Sequence, residues 1–213
     1  MCIVRPLTSG VKPLLPTGLA CYNEGMVTVG IDEVGRGCWA GPLVAGAVVL
    51  ARPIPGLKDS KKLSKTRREQ LAAQIEQEAV AIGLGWIWPE AIDRDGLSTA
   101  VKTAMTEALA AIGAEYDAVI VDGNINYFPG NPKVQAVIKA DDSVPAVSAA
   151  SIVAKVARDR YMTAIAAEYP GYGFERHVGY GTAEHIAGLK LLGACDIHRK
   201  SYKPIQAVVG AAA

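Results

Sequence analysis

Residues 29–41 read Val-Gly-Ile-Asp-Glu-Val-Gly-Arg-Gly-Cys-Trp-Ala-Gly. The opening apolar run is typical of a buried β-strand, and it ends in two adjacent carboxylates, Asp32 and Glu33. A glycine-rich segment with one arginine follows directly. Because glycine lets the backbone approach another group closely, this stretch predicts a strand whose end faces a ligand.

The segments around this stretch alternate between strand and helix patterns. Two antiparallel strands are predicted at 27–32 and 43–51, joined through a glycine-containing connection. The later elements are predicted as a helix at 64–82 ended by Gly83, a strand at 84–88, a helix at 92–112, strands at 118–121 and 134–138, and helices at 146–168 and 183–192. This alternation predicts an α/β domain in which helices flank a mixed β-sheet.

Three segments are expected along the 213 residues. An irregular lead-in covers 1–25, a central α/β domain covers 26–168, and a basic extension with a small helix covers 169–213 and packs on the same domain. The chain is 50% hydrophobic, which is enough for one substantial core. Four scattered cysteines favour free thiols in a reducing compartment, so we expect a cytoplasmic monomer. The sequence has neither a run of about eighteen apolar residues nor an export signal, so no membrane segment is expected.

Basic residues are concentrated in two places although the net charge is only +1. Residues 58–68 carry six cations against one acid, and residues 176–203 combine basic side chains with all three histidines. Affinity for a polyanion must therefore come from these local clusters. The alternative is that both are ordinary solvated surfaces, on which His177 and His198 would simply be exposed.

Acidic residues recur where apolar strands end. Asp32 with Glu33, Asp122 and Asp141 each follow such a run, and ligand sites form at strand ends in open α/β sheets. Both Asp32 and Glu33 reach one site only if the strand bends, or if Glu33 contributes its backbone carbonyl. An oxygen-rich cluster suits Mg²⁺ or Mn²⁺, and no histidine or cysteine spacing indicates zinc. The alternative is that these acids are exposed loop residues, and spacing alone does not decide between the two.

Several ordered blocks together resemble the bacterial ribonuclease HII family. The resemblance runs from about residue 27 to residue 204, and it is carried by 29–42, Asp-Ser-Lys-Lys-Leu at 59–63, Val-Asp-Gly-Asn at 121–124, Lys-Ala-Asp at 139–141, 148–159, 169–174 and 177–182. It implies a ribonuclease H-like fold and an endonuclease that cuts on the 5′ side of ribonucleotides embedded in duplex DNA, or in RNA–DNA hybrids. Ribonucleotide removal and RNA primer degradation are the implied roles.

The resemblance also assigns roles to individual residues. Asp32, Glu33, Asp122 and Asp141 fall on the family's metal-binding catalytic acids, and Gly35, Arg36 and Gly37 fall on the loop that reads the 2′-hydroxyl. Tyr180 matches the tyrosine beside the sugar at the RNA-to-DNA step, with Tyr172 as the alternative. At 38–39 this chain has Cys-Trp where a proline and a small apolar residue are usual, which leaves the shape of the substrate-reading loop open.

The residue types fit this chemistry without the resemblance. Two divalent ions held by carboxylates can activate a water and stabilise the leaving oxygen of a phosphodiester. Ser60, Lys61 and Lys62 are candidate phosphate contacts at the head of the helix that follows. Lys155 and Asp159 are spaced as a helix-surface ion pair and are not expected to act in catalysis.

Two other classes of protein remain open. One is a metal-dependent phosphatase or another nuclease of the same fold, and the other is a nucleic-acid-binding module without turnover. A sliding clamp is a conceivable further partner, but residues 206–213 contain no aromatic anchor for one.

Overall fold

Five strands form one mixed sheet in the computed structural model, which describes residues 26–58 and 60–210. Their spatial order is β3-β2-β1-β4-β5, with β1 antiparallel to β2 and parallel to β4. The strands are β1 Thr28–Val34, β2 Leu43–Leu50, β3 Ala79–Ile87, β4 Ala118–Asp122 and β5 Val134–Val137. The expected lead-in at 1–25 lies outside the described residues.

Helices cover both faces of this sheet. They are α1 Lys65–Glu78, α2 Pro89–Asp95, α3 Leu97–Ala111, α4 Ala140–Ser143, α5 Pro145–Ile165, α6 Phe174–His177, α7 Ala183–Leu192 and α8 Lys203–Gly210. α3 packs on one face, where Val101 and Met105 join Ile31 in a fully buried cluster. α1 and α5 pack on the other face, where Leu71 and Ile152 join Val48. The α/β class with a mixed sheet flanked by helices is therefore confirmed.

The segment after α5 has its own apolar cluster. Phe174, Leu189 and Ile205 come from α6, α7 and α8, and they pack with Met162 and Ile165 near the end of α5. The predicted helix at 183–192 is confirmed, whereas α6 and α8 were not predicted. No helix in the described part of the chain is long and apolar enough to cross a membrane.

Two strand glycines let α5 lie directly on the sheet. A Cβ atom at Gly30 of β1 would lie 2.2 Å from backbone atoms of Ala146 and Val147. A Cβ at Gly46 of β2 would lie 2.6 Å from the carbonyl oxygen of Ala150. Gly46 is also the cross-strand partner of Asp32. The glycines thus bring α5 against the strands just where the first candidate acid is placed.

The predicted helix at 64–82 is wrong in its second half. α1 ends at Glu78, β3 begins at once, and Gly83 lies in the middle of that strand. A Cβ at Gly83 would lie 2.0 Å from the carbonyl oxygen of Ala108, so this glycine allows α3 to contact the strand backbone. The glycine marks close helix-on-sheet packing instead of a helix end.

The predicted single helix at 92–112 is also wrong, because two helices cover this region. Gly96 separates α2 from α3 with a φ of 81°, a left-handed conformation that residues with a side chain rarely adopt. α2 itself starts earlier than predicted, with Pro89 as its first residue. Proline is favourable there because the first N–H groups of a helix have no partner within it.

Candidate active site

Three of the candidate acids lie at one end of the sheet. The parallel register pairs Ile31 with Val121, so Asp32 and Asp122 are neighbours on adjacent strands. Asp122 is the last residue of β4, whereas Asp32 lies two residues before the end of β1. The first residue of α4, Ala140, donates its N–H to Asp122 Oδ1 at 2.8 Å, and Asp141 is the next residue. Asp32 and Asp141 are each only 7% exposed. Asp141 lies in the first turn of the short helix α4, so the prediction that it follows the end of a strand is wrong.

Burial and nearby negative charge disfavour the charged forms of Asp32 and Glu33. Burial, together with the charges of Glu33 and Asp122, raises the pKa of Asp32 to about 8. The Glu33 N–H, which donates to Asp32 Oδ1 at 2.7 Å, and the Ser151 hydroxyl offset only part of this effect. Burial also raises the pKa of Glu33, against the opposing influence of Arg36. Such a shifted carboxylate in a cluster of acids is typical of a functional site.

The carboxylates are turned toward protein donors. Glu33 Oε1 accepts from Arg36 Nη1 at 3.1 Å, while Asp122 bonds to the Ala140 N–H. As these side chains stand, residues 26–58 and 60–210 contain no group of three or more His, Cys, Asp or Glu arranged to hold a metal ion. Glu33 and Asp122 each accept from a nitrogen of the protein instead.

Of the two alternatives for Asp32 and Glu33, a bend in β1 is absent. β1 pairs with β2 in regular register through Val34 and Val44. Alternation then directs Asp32 and Glu33 to opposite faces of the strand. Both still interact electrostatically with Asp122, so the three carboxylates lie near one another without a bulge in β1.

The two glycines after β1 differ in their structural requirements. Gly35 has a φ of 91°, and a Cβ there would lie 2.5 Å from Arg158 Nε, so this position requires glycine. Gly37 has no left-handed φ, and a Cβ there would meet nothing within 4 Å. The fold itself therefore does not require glycine at position 37.

Two buried arginines fix the backbone that follows β1. Arg158 on α5 is fully buried and donates to the carbonyls of Ala40, Pro42 and Val178. Arg199, also fully buried, donates to the carbonyls of Gly41 and Arg36. The sequence suggested Arg199 as part of a basic surface, which is wrong. The sequence does not reveal these roles, because the loop carbonyls that the two arginines bind lie more than 100 residues away.

Tyr180 lies beside Arg158 and beside Cys38 of this loop. Its side chain is 37% exposed, and Lys155 Nζ and Arg158 Cζ lie 5.3 Å and 5.9 Å from the ring centroid. Burial and the Cys38 thiol at its hydroxyl raise the pKa of Tyr180 to about 12. By contrast, Tyr172 is only 6% exposed and donates to the Gly193 carbonyl at 2.9 Å. Of the two tyrosines, Tyr180 is the one whose ring is accessible.

The predicted phosphate contacts form a separate 3-10 turn, Ser60–Lys62, ahead of the helix. The helix α1 itself is capped by Ser64, so the three residues do not lie at its head as predicted. Ser60 is buried, with its Oγ 2.9 Å from Ser151 Oγ, whereas Lys61 is exposed and Lys62 pairs with Asp142 at 2.7 Å. Through Ser151, Ser60 is connected to Asp32.

Comparison with solved structures identifies the class of protein that this fold and acid cluster define. The fold is similar to ribonuclease H2 from Pyrococcus horikoshii OT3, with a TM-score of 0.73, 25% identity, and coverage of 87% of this chain and 98% of that chain. The RNase HII solved in a PCNA:RNase HII complex from Archaeoglobus fulgidus gives a TM-score of 0.71 at 28% identity, with 84% and 96% covered. The class is that of the type 2 ribonucleases H.

Sequence comparison identifies the family within that class. The family model described as Ribonuclease HII matches residues 29–205. Ribonuclease HII of Nitrosococcus oceani is 48% identical over 184 residues, covering 85% of this chain and 91% of the relative. The Geobacillus thermodenitrificans enzyme is 45% identical over 192 residues, covering 89% and 73%. This chain belongs to the ribonuclease HII family and is a ribonuclease H, a nuclease that hydrolyses phosphodiesters.

Proposed function

We propose that this enzyme hydrolyses the phosphodiester on the 5′ side of a ribonucleotide embedded in duplex DNA, and of RNA in RNA–DNA hybrids. The products are a 3′-hydroxyl and a 5′-phosphate, and the roles are ribonucleotide removal and RNA primer degradation in the cytoplasm. The observation that carries the proposal is the acid cluster beside a loop whose Gly37 has no structural reason to be glycine.

The donor set fits divalent metal ions. All four proposed ligands, Asp32, Glu33, Asp122 and Asp141, supply oxygens, as Mg²⁺ and Mn²⁺ prefer. A cation would compensate the burial and repulsion that raise the pKa of Asp32. The bound ions would activate a water and stabilise the leaving oxygen. The more distant Bst-RNase HIII, at 21% identity and a TM-score of 0.64, was solved in complex with Mn²⁺.

The loop after β1 supplies recognition of the sugar. A 2′-hydroxyl distinguishes a ribonucleotide from its DNA neighbours whatever its base. Gly37 is exposed and carries no side chain, so its backbone can reach that hydroxyl directly, while Arg36 at 50% side-chain exposure is available to a phosphate. Arg158 and Arg199 hold the loop in place, which limits the conformational freedom lost on binding.

Tyr180 and the 3-10 turn complete the proposed substrate surface. The accessible ring of Tyr180 packs beside the sugar at the RNA-to-DNA step, and the turn at 60–62 contributes Lys61 and Lys62 to phosphate binding. Ser60 is buried, so its proposed part is to support Ser151 next to Asp32. A sliding clamp is not part of the proposal, because the described part of α8 contains no aromatic residue.

A duplex with a single ribonucleotide tests this function, with an all-DNA duplex as control and with Mg²⁺ or Mn²⁺ titrated. We expect one cut on the 5′ side of the ribonucleotide and none in the control. Equal cutting of both duplexes would indicate a general nuclease. Binding without cutting would indicate a module without turnover, and either result would refute the proposal.

A glycine substitution tests recognition separately. Gly37→Ala places a methyl group in open space, so we expect unchanged stability but a fall in kcat/KM on the ribonucleotide duplex of at least about tenfold. Gly130→Ala is the matched control, since a Cβ there also meets nothing within 4 Å. Full activity of Gly37→Ala would remove the backbone of this loop from 2′-hydroxyl recognition.

A further inference from the structure

The three histidines of the C-terminal segment are buried together, which excludes the alternative that His177 and His198 are simply exposed. His177 is 7% exposed, His185 is fully buried and His198 is 1% exposed. The rings of His177 and His185 stack with centroids 4.7 Å apart. His185 Nε2 and His198 Nε2 lie 2.9 Å from each other, so one of these nitrogens must donate to the other.

The direction of hydrogen bonding in this group follows from its fixed donors. The backbone N–H of Cys195 donates to His198 Nδ1 at 2.9 Å, which makes that nitrogen an acceptor. A neutral His198 then carries its proton on Nε2 and donates to His185. His185 in turn carries its proton on Nδ1, which lies 2.9 Å from the carbonyl oxygen of Tyr180. We assign these tautomers from the partners, and every ring nitrogen of the two histidines is satisfied.

This chain of hydrogen bonds works only when both rings are neutral. A second proton on His185 would set its Nε2–H against that of His198 across 2.9 Å. A second proton on His198 would set its Nδ1–H against the Cys195 N–H, also across 2.9 Å. Burial lowers the pKa of both His185 and His198 to about 4, so the neutral forms prevail near pH 7. His177 Nδ1 accepts from the Gly179 N–H, and its Nε2 donates to the Tyr172 carbonyl.

This chain of hydrogen bonds ends at the carbonyl of Tyr180. Tyr180 is the residue of the C-terminal segment that the proposed function places at the substrate. The Tyr180 ring is partly open to solvent, so its direction depends on its backbone as well as on its contacts with Lys155, Arg158 and Cys38. That backbone is held at its N–H by the carbonyl of His177 at 2.9 Å. At its carbonyl it is held by His185 and by the Thr182 N–H.

We propose that His185 and His198 are positioning residues for substrate recognition, which act by fixing the Tyr180 carbonyl and thereby the Tyr180 ring beside the sugar. The inference rests on the proposed function, because it takes Tyr180 as a substrate contact. Neither histidine touches the substrate itself. Their hydrogen bonds transmit the position of the Cys195 backbone to the tyrosine through two buried rings.

A double-mutant cycle on the full-length enzyme tests this inference. His185→Phe keeps an aromatic ring in place and removes both nitrogens, whereas His185→Asn keeps an N–H near the position of Nδ1. Each is made alone and together with Tyr180→Ala, and kcat and KM are measured on the single-ribonucleotide duplex. We expect His185→Phe to lower kcat/KM about tenfold, and we expect His185→Asn to keep most of the wild-type kcat/KM. In the Tyr180→Ala background, His185→Phe should lower kcat/KM less than about twofold.

Two further variants control for effects of the substitutions on folding. Tyr172→Phe removes another buried hydrogen bond of the same segment, to the Gly193 carbonyl, and should leave kcat/KM unchanged. His198→Asn keeps an acceptor for Cys195 but removes the donor to His185, and it replaces His185→Phe in the cycle if that protein does not fold.

The outcomes separate the inference from the function on which it rests. Equal losses from His185→Phe in the wild-type and Tyr180→Ala backgrounds would overturn the positioning role while leaving the proposed function intact. Unchanged cleavage by Tyr180→Ala would remove Tyr180 from the substrate site and would overturn both. Loss that depends on Tyr180 and is rescued by asparagine would support the inference.

Discussion

Replacing Asp32 by asparagine should stabilise the metal-free protein while it abolishes turnover. The folded state raises the pKa of Asp32 from 3.8 to about 8, so between these values the native protein holds a proton that the unfolded chain releases. The contribution of that proton to the free energy of unfolding is fully present below pH 3.8, and it is lost as the pH rises toward 8. At about 1.4 kcal/mol per pH unit, the wild type loses up to about 4 kcal/mol by pH 7.

Asparagine does not titrate, so the variant avoids this loss. Its side-chain oxygen can still accept the Glu33 N–H that Asp32 Oδ1 accepts at 2.7 Å. Because a buried amide also costs free energy, we expect a net gain of about 2 kcal/mol at pH 7. Duplex binding should be largely intact, since positive residues supply most of the affinity.

Urea unfolding in the presence of EDTA, at several pH values from about 5 to 8, measures this effect. The free energy of unfolding should fall with pH in the wild type and stay flatter in Asp32→Asn. Adding Mg²⁺ should stabilise the wild type but not the variant. Asp142→Asn is the control, because that carboxylate is 39% exposed and paired with Lys62. Equal pH slopes in wild type and Asp32→Asn would refute the assignment of the shifted carboxyl to Asp32.

Two other substitutions probe the backbone contacts that place the site. Arg199→Lys keeps the charge but loses the planar set of donors to two carbonyls. We therefore expect kcat/KM on the ribonucleotide duplex to fall about tenfold. The control is Arg52→Lys, at an exposed arginine. An unchanged kcat/KM would show that the loop keeps its shape without the guanidinium. Gly83→Ala should destabilise the protein by about 2 kcal/mol in urea, because its Cβ would lie 2.0 Å from the Ala108 carbonyl, whereas Gly130→Ala should change little. Equal stability of these two glycine variants would contradict the close packing of α3 on β3.

Much of the architecture was predictable because its signals are local. The apolar run before Asp32 and the helical spacing of α5 identified a buried strand and a long helix, and both are present. The ordered blocks from 29–42 to 177–182 indicated the family that the comparisons confirm. The errors fell on glycines. Gly83 was taken as a helix end and Gly96 as a helix interior, since glycine serves both turns and close packing and its neighbours do not reveal which.

The sequence by itself determined most of the strands and helices, the acids Asp32 and Asp122 on neighbouring strands, and the glycine loop that follows the first strand. Only the tertiary structure decided which polar side chains are buried and what they contact. Arg199 reaches the carbonyl of Arg36 across 163 residues, and His198 reaches Tyr180 through His185. The physical reason is that periodicity depends on neighbours along the chain, whereas the burial and pairing of a polar group depend on which distant backbone groups folding brings beside it.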